Sequence, residues 1–546
     1  MSDSEILIVG AGPVGLCLAC ELARYRVPFR LIEKRPEPSR NSKALGVHAR
    51  SLEMLEDMGI AHKFVERGLP VQQINFYANG KRLTQVALSE VDSPFNFTLD
   101  IPQSLTERLY IEHLEQLGHQ VDRYVELEGF ENTENGVAVE LRKTGGIIEK
   151  REYRYVVGCD GAHSTVRKHL GLEFKGDAYP EHFALADVHI SSGLEANQMH
   201  MFFHSDGFLI LFPMRGERYR VIATIADESE PTLDVPYIQE LMNARTGVQT
   251  TVSDGIWFSN FRIHHRIVSQ YRKGNVFLAG DAAHIHSPAG GQGMNTGMQD
   301  AYNLAWKLAL NHEGLTDLLD SYSPERVPVG SKVVELTDRM TKVATMQNPV
   351  GTAVRNTMMP IVASLGVVQH KLVNTIEEVD VNYRGTDWVS EHMGDTRDAS
   401  TRTPFSHGPK PGDRAPDAIV TQSETGSAKR LFELFQGPHY TLLVFIYGNL
   451  KEGEPKDILT LTQDLKKRLG KWIECYFISD RQVPTELGNG SDIYLDARMK
   501  AHSSYGVTLA SSLYLVRPDG YVAFRSLPFS GKALGDYLDR IGLGAR

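Results

Sequence analysis

Three observations predict an α/β fold in which a parallel, doubly wound sheet is interrupted by a β-rich insertion and followed by a second α/β unit. Ile6 to Val9 reads as a buried strand that runs through Gly10-Ala11-Gly12-Pro13-Val14-Gly15 into a helix. From about Phe183 to Asn260 apolar residues alternate with polar ones, as in Ala184, Ala186 and Val188, then Phe208, Ile210 and Phe212, then Tyr219, Val221 and Ala223. That period belongs to a mixed or antiparallel sheet with one buried face. Beyond a stretch rich in proline and glycine at 401–416, strands and a helix resume at Tyr440 to Ile446, Lys456 to Gly470 and Trp472 to Ile478.

The amino-terminal turn has the spacing G-x-G-x-x-G, with Pro13 and Val14 between its second and third glycines. The glycines allow a tight turn, approach of backbone to a pyrophosphate and close helix–strand contact, while the helix N-terminus faces the phosphates. Glu33, followed by Lys34, ends the strand that starts at Phe29, close to the roughly 20-residue offset at which an acid meets a ribose 2′-OH. Strand, turn, helix, strand and acid in this order predict a Rossmann-like dinucleotide site. The Glu33 charge disfavours a 2′-phosphate, so NADP is the poorer occupant.

A second segment, Val276-Phe277-Leu278-Ala279-Gly280-Asp281, continues into Ser287-Pro288-Ala289-Gly290-Gly291-Gln292-Gly293-Met294-Asn295. An apolar strand entering Gly-Asp, with a glycine-rich turn opening a helix beyond, can set a carboxylate against a ribityl hydroxyl and helical N–H groups against a flavin ring. This points to FAD. A third segment ends a buried strand in Cys159-Asp160-Gly161, with His163, Ser164 and Arg167 following. Asp160 can pair with Arg167 or accept backbone N–H groups; the plainer reading is a capped helix start with a surface arginine.

The chain has 546 residues, enough for two or three domains, with 58 basic and 68 acidic side chains and a net charge of −10. This balance favours solubility and gives no support to nucleic-acid binding. No apolar run is long enough to span a bilayer, and a cytoplasmic location is expected. The four cysteines are too few for a disulfide framework; Cys17 and Cys20 fall inside the first helix and read as a packing pair. His284 with His286, and His264 with His265, lack further ligands at metal spacing, so no metal is expected.

Together, Gly10 to Gly15, Asp160 to Arg167 and Gly280 to Asn295 resemble the single-component FAD-dependent aromatic hydroxylases, the para-hydroxybenzoate hydroxylase and phenol hydroxylase family. The resemblance implies that Glu33 holds the adenosine ribose, that Lys43 stands where the family often has an arginine near the flavin, and that Gln103 touches the ribityl chain. It further implies Asp281 on a ribityl hydroxyl, Pro288 beside the ring where oxygen reacts, and N–H groups of Gly293, Met294 and Asn295 at the flavin N1 and O2 edge. Asp160, His163 and Arg167 match the motif used for FAD and for transient NAD(P)H, which has no Rossmann domain of its own. Aligned on Gly207-Phe208, the family's carboxylate-holding serine and arginine fall at Phe212 and Met214, and its phenol-activating tyrosine at Met201. These departures suggest an apolar pocket and a substrate other than a small benzoate. Trp257, Phe261 and Arg266 are further wall residues.

The implied organisation is an FAD domain over 1–180 and 262–400, a substrate sheet over 70–100 and 181–261, a linker at 401–416 and a thioredoxin-like domain over 417–546. The last has no C-x-x-C after its first strand, which leaves it a structural or dimer-supporting role. Met340, Met346, Met358 and Met359 read as core or dimer contact. The implied reaction consumes NAD(P)H and O2 and hydroxylates a phenolic or polycyclic aromatic through a flavin C4a-hydroperoxide. The alternative keeps the flavin and changes the outcome to epoxidation or Baeyer–Villiger insertion on a polyketide or drug-like compound.

Overall fold

The computed structural model describes residues 5–39, 42, 44–225, 232–287, 290–346, 348–363, 365–394, 399–481, 487, 492–508 and 510–544. Contacts divide the chain into two units, one made of Met1–Ala23, Pro28–Ala301 and Arg326–Val379, the other of Arg24–Val27, Tyr302–Glu325 and Asp380–Arg546.

In the first unit, Ile6–Val9 pairs in parallel with Phe29–Glu33 on one side and Tyr155–Gly158 on the other, and Val276–Leu278 adds in parallel beyond the latter. Strands covered on both faces need unbroken apolar runs, and Ile-Leu-Ile-Val and Tyr-Val-Val-Gly supply them, buried throughout. The helix Pro13–Arg24 begins on proline, whose fixed φ and missing N–H suit a first turn. Inside it Cys17 and Cys20 are buried, their Sγ atoms 3.7 and 3.5 Å from the carbonyls of Met298 and Tyr110, as a packing pair should be. The parallel pairing gathers the carboxyl ends of four neighbouring strands along one edge of the sheet. In α/β sheets that edge is where ligands bind.

The β-rich insertion forms most of an eight-stranded sheet, one edge of which is made by Gln73–Ala78 and Lys81–Ala87. It has two buried faces rather than the expected one. Ala186, Val188, Leu209, Leu211, Val221 and Ala223 pack toward Ile238 and Met242 of the helix Val235–Thr246. Phe183, Leu185, Phe208, Ile210 and Ile222 form a second apolar cluster. The reason is visible in Phe183-Ala184-Leu185-Ala186, where the residues between the small ones are themselves large and apolar. Asp234 caps the covering helix, its carboxylate accepting the Tyr237 N–H at 2.9 Å.

The second unit holds a separate eight-stranded sheet. Tyr440–Ile446 runs parallel to Ile473–Ser479, joined through the helix Glu454–Leu469, and antiparallel to Ser512–Val516, which turns at Arg517–Gly520 into Val522–Leu527. The 401–416 stretch is not an extended linker here: the helix Ala399–His407 lies in it, Phe405 is fully buried in the core of this unit, and Arg414 bridges to Tyr521. Its glycines serve turns, as at Gly412 with φ +91°. One buried set of charged side chains in this unit joins Lys307, Glu325, Arg517 and Asp519. Lys307 and Arg517 bond Glu325 at 2.7 Å each, and Arg517 Nε donates to Asp519 at 2.9 Å.

No helix among the described residues is long and apolar enough to cross a membrane.

Candidate functional site

The glycine turn after the first strand is shaped by contacts that no side chain could share. Gly10 has φ +102°, and a methyl group on Gly15 would lie 1.9 Å from the Gly10 carbonyl oxygen. A methyl group on Gly12, by contrast, would meet nothing within 4 Å. The outer glycines close the turn on the sheet and the middle one leaves its backbone open, the division of labour a pyrophosphate cradle requires. Glu33 sits against this turn: its Oε2 accepts the Ala11 N–H at 3.0 Å and its Oε1 the Arg35 N–H at 3.0 Å. Lys34 is exposed, 3.9 Å from Glu126.

At the end of the neighbouring strand, Asp160 accepts the N–H groups of Thr165 and Val166 at 2.6 and 3.2 Å through one oxygen. Its other oxygen is buried and has no hydrogen-bond partner among the described residues. Ser164 caps the short helix Thr165–His169, and Arg167 donates to the carbonyls of Ala282 and Ala162 at 3.0 and 2.8 Å. The arginine is therefore buried and bound to backbone instead of surface-exposed, and of the two options for Asp160 the backbone one is realised. His163 is exposed.

Gly280 follows with φ +60°, packed against Val14, and Asp281 beside it is exposed. The turn is held from behind by Asp300, which accepts the Gly280 N–H at 3.0 Å and His284 Nε2 at 2.8 Å and pairs with Arg326 at 2.7 Å. Burial alone would raise the Asp300 pKa, but the Arg326 and His284 charges outweigh it and hold the carboxyl below its ordinary range.

The helix Gln292–His312 opens just beyond the glycine pair Gly290 and Gly291, both at positive φ. The first N–H groups of a helix have no partner within it, and Gly293 and Met294 lie in this first turn. The Asn295 side chain is occupied with bracing: its Oδ1 accepts the His48 N–H at 3.0 Å, and its Nδ2 donates to the carbonyls of Gly46 and Gly291 at 2.9 and 3.0 Å. Gln103 starts the helix Gln103–Gln116 and links Ala44, Ser42 and Glu107. Lys43 and Pro288 lie outside the described residues.

Around Gly46 and Gly291 several buried polar atoms have no partner among the described residues: His48 Nδ1, both Asp100 carboxyl oxygens and Gln292 Oε1. Burial lowers the His48 pKa to about 4, so its imidazole is uncharged at neutral pH, and pushes that of Asp100 well up. Native interiors satisfy their polar groups, and such a cluster at the mouth of a dinucleotide turn has the character of a site that a bound group completes. Open backbone at Gly12, Asp160 Oδ1 without a partner among the described residues and this polar lining fit FAD.

The second cluster of the large sheet supplies an apolar wall. Met201, Phe212, Trp257 and Phe261 are partly buried on it, together with Phe76, Met199 and Met359. Met214 is not brought to this group; it ends its strand beside Arg215 and Gly216 and lines a small cleft with Leu69, Ala196 and Tyr219. The buried Arg220–Asp187 pair, bonded twice at 2.8 Å, lies under Trp257, with the guanidinium 5.4 Å from the ring centre.

Residues 3–337 match the family model described as FAD binding domain. Over 98% of this chain and 99% of its relative, the sequence is 31% identical to a flavin-dependent monooxygenase of Mycobacteroides abscessus. It is 32% identical to pentachlorophenol 4-monooxygenase of Sphingobium chlorophenolicum over 96% of this chain and 94% of that one. The chain belongs to the FAD-dependent monooxygenases. Among solved structures, the anhydrotetracycline hydroxylase OxyS of Streptomyces rimosus superposes with a TM-score of 0.75 at 27% identity, covering 99% of each chain.

Within this monooxygenase several residues that shape the site carried no legible signal in the sequence. Asp300 reaches Gly280 from a helical position with Arg326 behind it, and Glu377 takes the Ala49 N–H at 2.7 Å from 328 residues away. Glu378 likewise accepts Thr296 at 2.8 Å. His48 and Asp100 sit on short strands and turns with no periodic pattern. His284 follows a strand-to-Gly-Asp segment that the sequence does mark, but its spacing from His286 reads only as an incomplete metal set.

Proposed function

We propose that this chain uses NAD(P)H and O2 to hydroxylate a phenolic or polycyclic aromatic, placing one oxygen atom on the ring and releasing the other as water. The observation that carries this reading is the convergence of three distant segments, at Gly10–Gly15, Asp160–Arg167 and Gly280–Asn295, on the carboxyl ends of adjacent parallel strands. The apolar wall bearing Met201, Phe212 and Trp257 supports an aromatic substrate. Relatives named for pentachlorophenol and for anhydrotetracycline bracket the range from one ring to several.

Bound FAD would supply the redox and oxygen-activating chemistry. In this reading Glu33 holds the adenosine ribose, Gln103 and Asp281 the ribityl chain, and the N–H groups of Gly293 and Met294 the flavin's anionic edge, favoured by the helix dipole. Asn295 fixes Gly46 and His48 against the same helix. Met201, where a tyrosine would relay the phenol proton, holds no proton, so the pocket orients and dries its ligand without a side-chain base there. The second unit is proposed to be thioredoxin-like and structural, since Tyr447-Gly448-Asn449 follows its first strand in place of a dithiol. Four buried free thiols suit a reducing cytoplasm.

The test is direct. The purified protein should be yellow, its NAD(P)H oxidation stimulated by an aromatic ligand, and a product made under ¹⁸O2 should carry one labelled oxygen by mass spectrometry. Stimulated oxidation that yields only hydrogen peroxide across a broad aromatic panel would overturn the reading.

A further inference from the structure

Arg355, packed on the second apolar cluster of the large sheet, has no counter-ion among the described residues. Arg355 lies on the helix Pro349–Ala363, one turn before Met359, which packs on the apolar cluster of Phe203, Met201, Phe212 and Trp257. Its guanidinium is stacked 4.1 Å from the centre of the Phe203 ring, and the residue is only 8% exposed. Its hydrogen bonds run to neutral acceptors, Nε to Asn356 Oδ1 at 3.1 Å and Nη1 to the Val343 carbonyl at 3.3 Å. Among the described residues no carboxylate pairs with it. The nearest comparison is Arg220 on the same sheet face, which is fully matched by Asp187.

A guanidinium taken out of water is costly unless an opposite charge and good hydrogen bonds replace its hydration. Phe203 offers a ring face, which offsets part of that cost, and two neutral acceptors offset a little more. The remaining deficit is what an anionic ligand would fill. Burial lowers the Arg355 pKa with no acidic neighbour acting against it, but a guanidinium stays charged at any working pH.

We propose that Arg355 is the anion-recognising residue of the aromatic pocket, so that the preferred substrates are aromatics bearing an ionised oxygen, phenolate or carboxylate. This rests on the hydroxylase reading above. It also reconciles the sequence with its chemistry: the positions where the family places a carboxylate-holding serine and arginine carry Phe212 and Met214, and the positive charge enters from a different element, the helix facing the sheet. Arg355 is a specificity residue in this account and takes no part in holding the flavin.

The experiment uses the oxidised, FAD-loaded protein without NAD(P)H, so that it stands apart from any failure of oxygenation. Flavin absorbance is titrated with 4-nitrophenolate and with nitrobenzene, and with benzoate and benzamide, for the wild type, Arg355→Met and Arg355→Lys. Arg355→Met should weaken the ionised member of a pair roughly thirtyfold, the scale of a lost charged hydrogen bond, and leave the neutral member within about twofold. Arg355→Lys should restore part of the loss. Flavin content and melting temperature check that both variants fold; equal weakening of both members of each pair, or no weakening, overturns the proposal.

Discussion

The Glu33 carboxylate accepts the Ala11 N–H at 3.0 Å and thereby fastens the end of the second parallel strand to the glycine turn that follows the first. Burial works to raise its pKa, yet the N–H groups of Ala11 and Arg35 and the Arg35 guanidinium outweigh that and hold it below the ordinary value. The same carboxylate shapes the turn and is proposed to meet the adenosine ribose. Glu33→Gln keeps an oxygen for Ala11 but loses the charge, and its FAD dissociation constant should rise about tenfold. Fluorescence of released flavin measures this; an unchanged constant would leave Glu33 a purely structural brace.

Gly12 and Gly15 separate binding from folding. Both belong to one fingerprint, but a methyl group on Gly15 collides with the Gly10 carbonyl at 1.9 Å, while one on Gly12 points into open space. Gly15→Ala should therefore destabilise the apoprotein by several kcal/mol, since backbone must move to admit it. Gly12→Ala should leave urea unfolding of the apoprotein within about 0.5 kcal/mol of wild type and still abolish tight FAD binding. Parallel denaturation and flavin titration of the two variants decide the matter.

The sequence made the three motif segments legible because each is local: a strand, a special-φ turn and a helix start within about fifteen residues, which pattern rules describe well. What it concealed was nonlocal. Asp300, Arg326, Glu377 and Glu378 act through contacts across the tertiary fold, and an isolated acid on a helix looks like any solvated acid. The two-faced sheet was misread for a related reason. Small residues at Ala184 and Ala186 suggested a thin alternation, whereas both sides of Phe183-Ala184-Leu185-Ala186 face cores. Met214 shows the limit of parity: it shares the phase of Phe208, Ile210 and Phe212 but falls past the end of the wall.

Glu377 and Glu378 give a pH dependence of definite sign. Both are buried, and burial raises their pKa values to about 7 and about 8, against the opposing hydrogen bonds from Thr98 and Ala49 to one and from Thr296 to the other. An acid whose folded pKa exceeds its unfolded value binds its proton more tightly in the folded state. That stability is fully present below the unfolded pKa and is lost as pH rises toward 7 and 8. Unfolding free energy should thus decline from about pH 5 to pH 8, by at most about 1.4 kcal/mol per pH unit for each group. Glu378→Gln, which stays neutral and keeps an oxygen for Thr296, should flatten part of that slope in urea titrations at several pH values. A slope unchanged by the substitution would place the pH dependence elsewhere.

The sealed charges of the second unit should behave in the opposite sense. Arg517 and Lys307 outweigh the burial that would otherwise raise the Glu325 pKa and hold it at about 2, while burial pulls Lys307 down to about 8. Glu325 is thus a depressed acid, whose contribution is present above its unfolded pKa and lost as pH falls through the folded value. Arg517→Met removes the partner that bonds both Glu325 and Asp519 and leaves two carboxylates with a single lysine. Breaking one side of such a buried set costs about 3–5 kcal/mol, because charge is left unpaired in the interior. The loss should appear in urea unfolding at pH 7, and the acid unfolding midpoint should move to higher pH as Glu325 loses its main counter-charge. Adding Glu325→Gln should recover part of the stability by removing the stranded charge, so that the double variant is more stable than Arg517→Met alone. A double variant less stable than the single one would mean that the remaining bonds of Glu325 to Lys307 and Asn303, rather than relief of a stranded charge, decide the balance.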